Sequence, residues 1–514
     1  MSLLQKASIL TTPTAYAEDY LYSIKPVYSL GSELVINGDF ATGSDWTGQT
    51  GWSISGGSAN FTATGSYAYL LQNVGFVTGR TYKFSFEVKN YVSGGVKEDI
   101  SGVEHTANGV YTHYIVATGS ILYFYANTTF TGSIDNVSAK EVTDADFDFD
   151  RNSTATRVNE EGLIEEVAID TPRIDFTGGT GSILLEPSST NLVTYSEDFS
   201  QWLLIGITTT ANAVISPDGL LNASKLVATS GSSNKVIAQG ITANTYTASV
   251  FAKKGEFEGI IISTGTTGAF FNLNTNTYRT YYTSPPTSYN IENYGNGWYR
   301  YSITFTQALG DSIYIGPNDN VSTSLAITGN GTSGIYTFGA QLEALSYPTS
   351  YIPTNGSTQT RSADAATNAG NSDLISSTEG VLYVEAKVFY DSSHTNRIAL
   401  SDGTSNNRIT LEWDETTQNR IRVHINTHSL LSYDVSDLSV FNKVAIKYAL
   451  NDYALWFNGV EVVTQLSGAL PTGMDVLEMT GAGLGAAGSF YGNVKCVAVF
   501  KEALTDTELT KLTS

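Results

Sequence analysis

Cysteine is almost absent from this sequence of 514 residues, in which Cys496 is the only one. A single thiol excludes an internal disulfide and any metal site that needs two cysteines from one chain. Because Val494 and Val497 lie close to it in the sequence, we expect Cys496 to be a small apolar residue in a core strand.

Long hydrophobic runs are also missing. No stretch approaches the roughly 20 apolar residues that a membrane-spanning helix needs, so membrane insertion is not expected. The opening residues, MSLLQKASILTTPTAY, contain an apolar run that is too short for a secretory signal peptide. We therefore expect synthesis in a cytoplasm without classical export.

Basic residues are few relative to acidic ones. The chain has 27 Lys and Arg residues against 49 Asp and Glu residues, which gives a formal net charge of -22. Such a charge repels a phosphate backbone, and the basic residues are scattered instead of forming a stripe. Nucleic acid is therefore not an expected partner, whereas the acidity favours solubility at high local concentration.

Methionine is scarce, but glycine and aromatic residues are abundant. There are 3 Met residues, compared with 48 Gly, 31 Tyr and 22 Phe. Aromatic residues suit a half-buried pleated sheet and glycines suit tight turns, so this composition predicts an all-β chain of many short strands. At about 100 to 200 residues per domain, the length predicts about three domains.

Two parts of the chain repeat each other. ELVINGDFATGSDW at 33–46 and NLVTYSEDFSQW at 191–202 share an apolar strand, an Asp-Phe pair and a Trp. GRTYKFSFEVK at 79–89 and ANTYTASVFAKK at 243–254 share Thr-Tyr followed by period-two alternation, which indicates a strand with one buried face. A duplicated β-sandwich explains both matches. The aromatic residues after each opening strand are predicted to pack in the cores: Phe40, Trp46, Phe199 and Trp202.

Two modules carry resemblances to known domain families. Residues 33–142, which open with NGDF and close with SIDNV, resemble the jelly-roll carbohydrate-binding domains of bacterial glycanases and phage proteins. Residues 381–514, with YALWFNGVEV and VFKEALTDTEL, resemble a concanavalin A-like (LamG-type) lectin sandwich. Both resemblances imply serial β-sandwiches that bind glycans, and neither specifies the glycan.

Three further segments resemble parts of tailed-phage fibre and spike proteins: the stretch from FDFDRNSTATRV to EDFSQW at 147–202, FGAQLEALSYPTSYIPTNGSTQTRSAD at 338–364, and the opening SLLQKASILTTPTAYAEDYLYSIKP. The resemblance implies a structural virion protein, made in the host cytoplasm, that forms a homo-oligomeric head fibre or spike, a trimer or a dimer. Its implied partners are phage capsid or tail proteins, bound through the N-terminal arm, and host cell-surface glycans. A tail fibre receptor-binding protein and a bacterial glycan-binding protein are the alternatives.

The patterns divide the chain into five predicted regions. The last region ends in TDTEL, where Thr505 and Glu508 form a capping box ahead of one short helix. The regions are an N-terminal attachment arm (1–32), a jelly-roll sandwich (33–143), a docking connector (144–190), a second jelly-roll sandwich (191–364) and a concanavalin A-like sandwich (365–514).

The connector contains the charge-dense stretch RNSTATRVNEEGLIEEV at 151–167. Arg151 and Arg157 precede a group of four carboxylates, and Gly162 permits a tight turn between them: the carboxylates are Glu160, Glu161, Glu165 and Glu166. This arrangement predicts a hairpin-like clip in which guanidinium groups pair with carboxylates within the chain or across a subunit boundary. A solvated surface loop is the alternative.

Candidate ligand-binding residues lie in the C-terminal sandwich. Aromatic rings suited to stacking on a sugar are Trp413, Tyr433 and Tyr491, and polar partners are Asp402, Asn406 and Asn407. Trp413 is followed by DETTQN and is expected near an exposed turn. Trp456 lies between two apolar residues in a strand and is expected in the core.

A structural calcium ion is the one cofactor that the jelly-roll resemblance implies. It would lie near the opening and closing strands, where Asp39 and Asp135 fall, and carboxylate oxygens suit that ion. Asp198 and Gln341 occupy the corresponding positions of the second module and are a weaker set, because Gln brings no charge. Carboxylates at such positions also cap turns.

Recognisable catalytic motifs are missing. There is no His-Glu-x-x-His motif and no Gly-x-Ser-x-Gly elbow between a strand and a helix, and the phage resemblance supplies no catalytic residues. Carboxylate pairs carry little information in a chain with 49 acidic residues. The histidines lie in predicted strands and loops without metal-ligand spacing: His105, His113, His394, His424 and His428. We therefore expect neither an enzyme nor a zinc site.

Overall fold

The computed structural model describes residues 3–13, 16–17, 20–21, 29–77, 81–98, 102–143, 147–242, 244–280, 284–307, 311–389, 394–414, 419–482 and 488–514. The chain divides into two compact units. The small unit comprises residues 26–145, and the large unit comprises residues 1–25 together with residues 146–514. No helix in these described ranges is long and apolar enough to cross a membrane.

The small unit is a sandwich of two antiparallel sheets. A 3₁₀ turn and three short strands come before it in the chain: Leu3–Lys6, β1 Ile9–Thr11, β2 Tyr16–Ala17 and β3 Tyr20–Leu21. Its own strands are β4 Ser29–Glu33, β5 Thr47–Gly48, β6 Trp52–Ile54, β7 Ala59–Phe61, β8 Ala68–Asn73, β9 Thr81–Ser93, β10 Val96–Glu98, β11 Glu104–His105, β12 Gly109–Val116, β13 Ile121–Ala126 and β14 Thr131–Thr143. One sheet has the order β12-β9-β14-β7-β6, with β4 beside β14, and the other has the order β11-β10-β13-β8-β5.

The large unit begins with connector strands and a second sandwich. The connector strands are β15 Phe147–Asp150, β16 Ala155–Val158, β17 Ile164–Val167, β18 Arg173–Asp175 and β19 Ser182–Leu185. The second sandwich and the segment that follows it contain β20 Ser189–Asn191, a 3₁₀ turn Phe199–Gln201, β21 Leu203–Ile205, β22 Ile207–Val214, β23 Ala223–Ala228, β24 Gly231–Asn234, β25 Val236–Ile241, β26 Asn244–Lys253, β27 Gly259–Ser263, β28 Gly268–Asn272, β29 Thr277–Thr280, β30 Ser288–Asn293, β31 Trp298–Gln307, β32 Asp311–Asn318, β33 Ala326–Gly329, β34 Gly334–Glu343, β35 Gln359–Arg361 and β36 Ala365–Thr367.

The two sandwiches share one strand topology. The second has sheets in the order β31-β26-β34-β23-β22 and β28-β27-β32-β25-β21, extended by β30 and β29 at one edge of each. These orders match those of the small unit strand for strand, as the repeated sequence segments predict. The predicted core aromatics are buried in both copies: Phe40, Trp46, Phe199 and Trp202.

A third sandwich closes the chain. Its strands are β37 Glu379–Val388, β38 Thr395–Ser401, β39 Arg408–Asp414, β40 Arg420–Ile425, β41 His428–Asp434, β42 Asn442–Ala449, β43 Asp452–Phe457, β44 Val460–Gln465, β45 Val476–Glu478 and β46 Gly492–Phe500, followed by the helix α1 Asp506–Thr513. One sheet has the order β18-β19-β46-β37-β42-β43-β44 and the other β41-β40-β39-β38-β45. The predicted all-β class with serial sandwiches is confirmed, and so is the capping box of Thr505 and Glu508.

The first residues of the chain pack on this third sandwich. Strand β1 pairs with β46, with Ile9 opposite Val499, and Lys6 forms an ion pair with Glu508 of α1. Ile9 is fully buried. Strand β1, which belongs to the predicted attachment arm (1–32), therefore packs against its own chain, because its apolar side chains extend the sheet beside β46. Attachment to a virion through this segment stays a prediction.

Candidate functional site

A row of three tyrosine rings lies on the outer face of the small unit. Tyr123 and Tyr125 stack with ring centroids 5.7 Å apart and an interplanar angle of 17°. Tyr69 meets both rings edge-on, at 5.9 Å from Tyr123 and 6.5 Å from Tyr125. We call these three residues the tyrosine row.

Strand alternation explains why the rings face outward. In β8 and β13 the residues next to the tyrosines point inward and are buried: Leu70, Leu122 and Phe124. The two strands pair with Tyr125 opposite Tyr69, so that side chains on the same face lie side by side. The three tyrosines are half-buried, which leaves part of each ring accessible.

Polar side chains flank the tyrosine row along the same cross-strand line. Lys97 of β10 lies opposite Tyr125, and the side-chain oxygen of Gln49 accepts a hydrogen bond from the backbone N–H of Tyr69 at 3.1 Å. Both flanking residues are exposed. An aromatic surface with an ammonium group at one end and an amide at the other has the composition of a polar-ligand platform, because rings supply rigid contact area and polar groups supply direction.

The equivalent face of the second sandwich is covered. Tyr314 of β32 packs against a small cluster with Val236, Ile261 and Phe270, to which Leu325 also contributes. The guanidinium of Arg279 lies 4.9 Å from the centroid of the Phe270 ring. Of the two copies of this fold, the small unit therefore offers the open aromatic face.

The predicted stacking residues of the third sandwich are mostly buried. Trp413 is 1% exposed and its ring lies edge-on to Phe490 at 5.2 Å, so the prediction of an exposed Trp413 is wrong. The reason is that β39 is an inner strand of its sheet, with every residue buried. Tyr491 is also buried, whereas Tyr433 is half-buried beside Phe457. Trp456 lies in the core, as predicted.

The predicted polar partners form a hydrogen-bonded turn. The carboxylate of Asp402 accepts hydrogen bonds from the backbone N–H and the hydroxyl of Thr404 and from the side-chain amide of Asn407. The side-chain oxygen of Asn407 accepts one from Thr472, while Asn406 is exposed. These groups mainly hold the turn, and their role in binding stays a prediction.

The residues proposed for calcium do not fit that ion. One carboxylate oxygen of Asp135 lies 2.6 Å from the Lys89 ammonium, and the other accepts the backbone N–H of Asn136. Asp39 is exposed and accepts the N–H of Ala41 as a turn cap. Because a lysine already neutralises Asp135, this donor set lacks the free carboxylates that calcium requires.

The corresponding residues of the second sandwich are engaged in the same way. Asp198 caps the 3₁₀ turn by accepting from the N–H and hydroxyl of Ser200. Gln341 accepts from the N–H of Ile352 and donates to the carbonyl of Ser350. Both side chains therefore serve local structure.

A buried network of ion pairs joins the connector to the end of the second sandwich. Arg173 of β18 pairs with two carboxylates, Glu186 at 2.6 Å and Asp364. Each carboxylate has a second arginine partner: Arg361 pairs with Glu186, and Arg151 pairs with Asp364. All five side chains are 0–2% exposed. Burial alone would raise the pKa of Glu186, but Arg361 and Arg173 outweigh it and lower that pKa to about 2. We call these residues the arginine network.

The charge-dense stretch of the connector forms the predicted hairpin. Strands β16 and β17 pair antiparallel with Arg157 opposite Glu165, and their side chains form an ion pair at 2.7 Å. Gly162 adopts a φ of +79° in the turn, a conformation that glycine takes without strain. Arg151 also pairs with a carboxylate of its own chain, Asp364, which lies outside the hairpin.

A cleft of about 660 Å³ opens beside the arginine network. Hydroxyl, amide and carboxylate groups line it, among them Thr156, Asn355, Glu166 and Glu197. The hydroxyl of Tyr351 donates to Glu197 at 3.0 Å, yet burial outweighs this bond and raises the pKa of Glu197. The cleft is thus a second polar surface on which a ligand could rest, without the aligned rings of the small unit.

No protein-family model matches this chain, and no curated protein is significantly similar to it in sequence. Similar solved structures include the CBM40 module of a Ruminococcus gnavus IT-sialidase, with 17% identity and a TM-score of 0.25 over 29% of this chain and 94% of that one. Domain 4 of the arabinanase AbnA from Geobacillus stearothermophilus, in complex with arabinotriose, matches with 14% identity and a TM-score of 0.26 over 30% of this chain and 73% of that one. Trypanosoma rangeli sialidase has 10% identity and a TM-score of 0.24 over 91% of this chain and 85% of that one. At these values the matches assign no function.

Proposed function

We propose that this chain is an adhesive structural subunit of a phage virion, a homo-oligomeric head fibre or spike whose small unit binds host glycans through the tyrosine row. The observation that carries the binding role is the alignment of Tyr69, Tyr123 and Tyr125 on one accessible sheet face. The C–H faces of pyranose rings are apolar and their hydroxyl rims are polar, so they complement an aromatic row flanked by Lys97 and Gln49.

Each contact of this kind is weak. One aromatic contact contributes about 0.5–1.5 kcal/mol beyond the area that it buries. Adhesion by such a site requires many copies, and an oligomeric appendage supplies them by raising the effective concentration of the next site. Weak single-site affinity and strong avidity are therefore expected together.

Support for the virion role comes from the phage-like segments and from where they lie in the fold. The segment 147–202 contributes Arg151, Arg173 and Glu186 to the arginine network, and the segment 338–364 contributes Arg361 and Asp364. Two of the three segments that resemble phage fibre proteins are thus held together by buried ion pairs. The ion pairs fix the segments before and after the second sandwich to each other, as a module that is assembled into a rigid appendage would require.

The proposed chain binds glycans and does not hydrolyse them. We expect the full-length chain to retain oligosaccharides on a glycan array and to release no new reducing ends from them. Tyr123→Ala should lose array binding because it removes one ring, whereas Tyr123→Phe should keep it because the ring remains. Equal array binding by wild type and Tyr123→Ala would contradict the site, and release of reducing ends would contradict the non-enzymatic role.

Location is tested on particles. Gold-labelled antibody against this chain should mark the capsid of purified virions in electron micrographs. Labelling of the tail would instead indicate a tail fibre. Absence of label from virions would contradict the virion role and favour a bacterial glycan-binding protein.

A further inference from the structure

Three potential metal ligands meet inside the small unit. Glu98 of β10, His105 of β11 and His113 of β12 each place one ligand atom within 4.8 Å of the other two. Nε2 of His113 lies 3.8 Å from Oε1 of Glu98, which is too far for a hydrogen bond. In the described part of the chain, this is the one set of three or more His, Cys, Asp or Glu side chains with such spacing.

The topology explains how the three residues come together. Strand β11 is the edge strand of one sheet, with β10 beside it, and β12 is the edge strand of the other. Alternation turns Glu98 and His105 inward from the first sheet and His113 inward from the second. The ring centroids of His105 and His113 are 5.2 Å apart. The cluster therefore bridges the gap between the two sheets.

Both histidines carry a buried Nε2 atom, although the His113 side chain as a whole is half-buried. His105 is 5% exposed and Glu98 is fully buried, and Nε2 of His105 and of His113 has no hydrogen-bond partner. A buried polar atom without a partner is unfavourable, because it has given up its hydrogen bonds to water. Burial, together with the nearby His113, lowers the pKa of His105.

The second sandwich has no histidine at the corresponding inward positions. The inward positions of its corresponding strands β27, β28 and β31 belong to the hydrophobic core and include Ile260, Phe271 and Tyr301, whose hydroxyl donates a hydrogen bond to Asn276. The ring centroids of Phe271 and Tyr301 lie 5.1 Å apart, across the same two sheets. The fold itself therefore does not require histidines here, and those of the small unit call for another explanation.

We propose that Glu98, His105 and His113 bind one Zn²⁺ ion between the two sheets. Imidazole nitrogen and carboxylate oxygen are both zinc ligands, with bonds of about 2.0–2.2 Å that place the ligand atoms about 3.3 Å from one another in a tetrahedron. The observed spacing of at most 4.8 Å closes to that value by movements of no more than about 1.5 Å. The ion joins the open edges of the sandwich and satisfies the unpartnered nitrogens.

Linear sequence spacing gives no sign of this site, and the expectation of no zinc site rested on spacing alone. His105 and His113 are eight residues apart on different sheets, and Glu98 lies on a third strand. The available signal was one histidine at an inward position of each of two alternating strands, where the repeated module has core residues other than histidine.

Titration of the untagged, chelator-treated full chain with Zn²⁺ alone tests the proposal by calorimetry. We expect one ion per chain, a higher thermal unfolding midpoint with zinc, and binding at least tenfold weaker in His113→Gln, since even outer-shell partners change affinity 10–100-fold. His428→Gln is the matched control, because His428 is exposed in the large unit, and it should bind zinc like the wild type.

A second measurement covers the case in which His113→Gln does not fold. Cobalt(II) added to the wild-type chain should give the strong visible absorption of a tetrahedral ion, and stoichiometric Zn²⁺ should remove it. Absence of this spectrum, absence of one-to-one zinc binding, or equal zinc affinity in wild type and folded His113→Gln would each overturn the proposal and leave the cluster as part of the core.

Discussion

Arg173 and Asp364 form an ion pair between two fully buried side chains that are 191 residues apart in the sequence. Asp364 also pairs with Arg151, and its carboxylate accepts the backbone N–H of Glu186. The pair fixes the connector to the segment that leaves the second sandwich. A buried charge is tolerated only when it is paired, so each member of the network depends on the others.

Replacement of Asp364 by Asn should therefore destabilise the large unit. We expect the free energy of unfolding to fall by about 3–5 kcal/mol, because Arg173 and Arg151 would keep buried charges without their partner. Urea unfolding measures this. Asp434→Asn is the control, since Asp434 pairs with Arg420 at the surface and should hardly change the midpoint. Equal effects of the two substitutions would contradict the account of the network.

Glu186 makes the stability of the large unit depend on pH. Its pKa is about 2 in the folded chain and 4.5 as a reference. A lowered folded pKa contributes stability that is complete above pH 4.5 and is lost as the pH falls from there towards 2, an effect of the order of 3 kcal/mol. Unfolding free energies between pH 5 and about pH 2 should fall less steeply in Glu186→Gln than in the wild type; parallel curves would contradict this.

The N-terminal strand should stabilise the third sandwich. Ile9 is fully buried against β46, and Ile9→Ala should lower the free energy of unfolding by about 2–5 kcal/mol through lost burial and a cavity. Leu466→Ala, at a 73% exposed residue of the same sandwich, should change it little. If Ile9→Ala unfolds at the same urea concentration as the wild type, strand β1 does not stabilise the third sandwich.

Cys496 should be unreactive in the native chain. Burial raises the pKa of its thiol to about 12, and the thiolate is the reactive form. A thiol-specific disulfide reagent should label Cys496 only after denaturation. Rapid labelling of one thiol per native chain would show that the third sandwich is open at β46.

Local sequence patterns predicted much of the fold. The repeat of two sandwiches, the core positions of Phe40 and Trp46 and the capping box of Thr505 and Glu508 depend on residues close together in the chain, where alternation and capping rules apply. The charge-dense hairpin with its Arg157 to Glu165 pair belongs to the same class.

The candidate sites could not be found in this way. The tyrosine row depends on the register of β8 and β13, and among 31 tyrosines no sequence feature marks Tyr69. The polar stretch after Trp413 led to the prediction that its side chain is exposed. It is buried because β39 lies in the middle of its sheet, with a strand on each side. Arg151 and Asp364 are 213 residues apart, beyond any local pattern.

The central claim is that the tyrosine row binds a glycan, and Tyr69 tests it most directly because its ring contacts both of the others. The measurement is calorimetric titration of the strongest array oligosaccharide into wild type, Tyr69→Ala and Tyr69→Phe. We predict that Tyr69→Ala raises the dissociation constant about tenfold, equivalent to a loss of about 1.4 kcal/mol of binding free energy. The dissociation constant of Tyr69→Phe should stay close to that of the wild type, because the ring remains. An unchanged dissociation constant for a folded Tyr69→Ala chain would contradict the account.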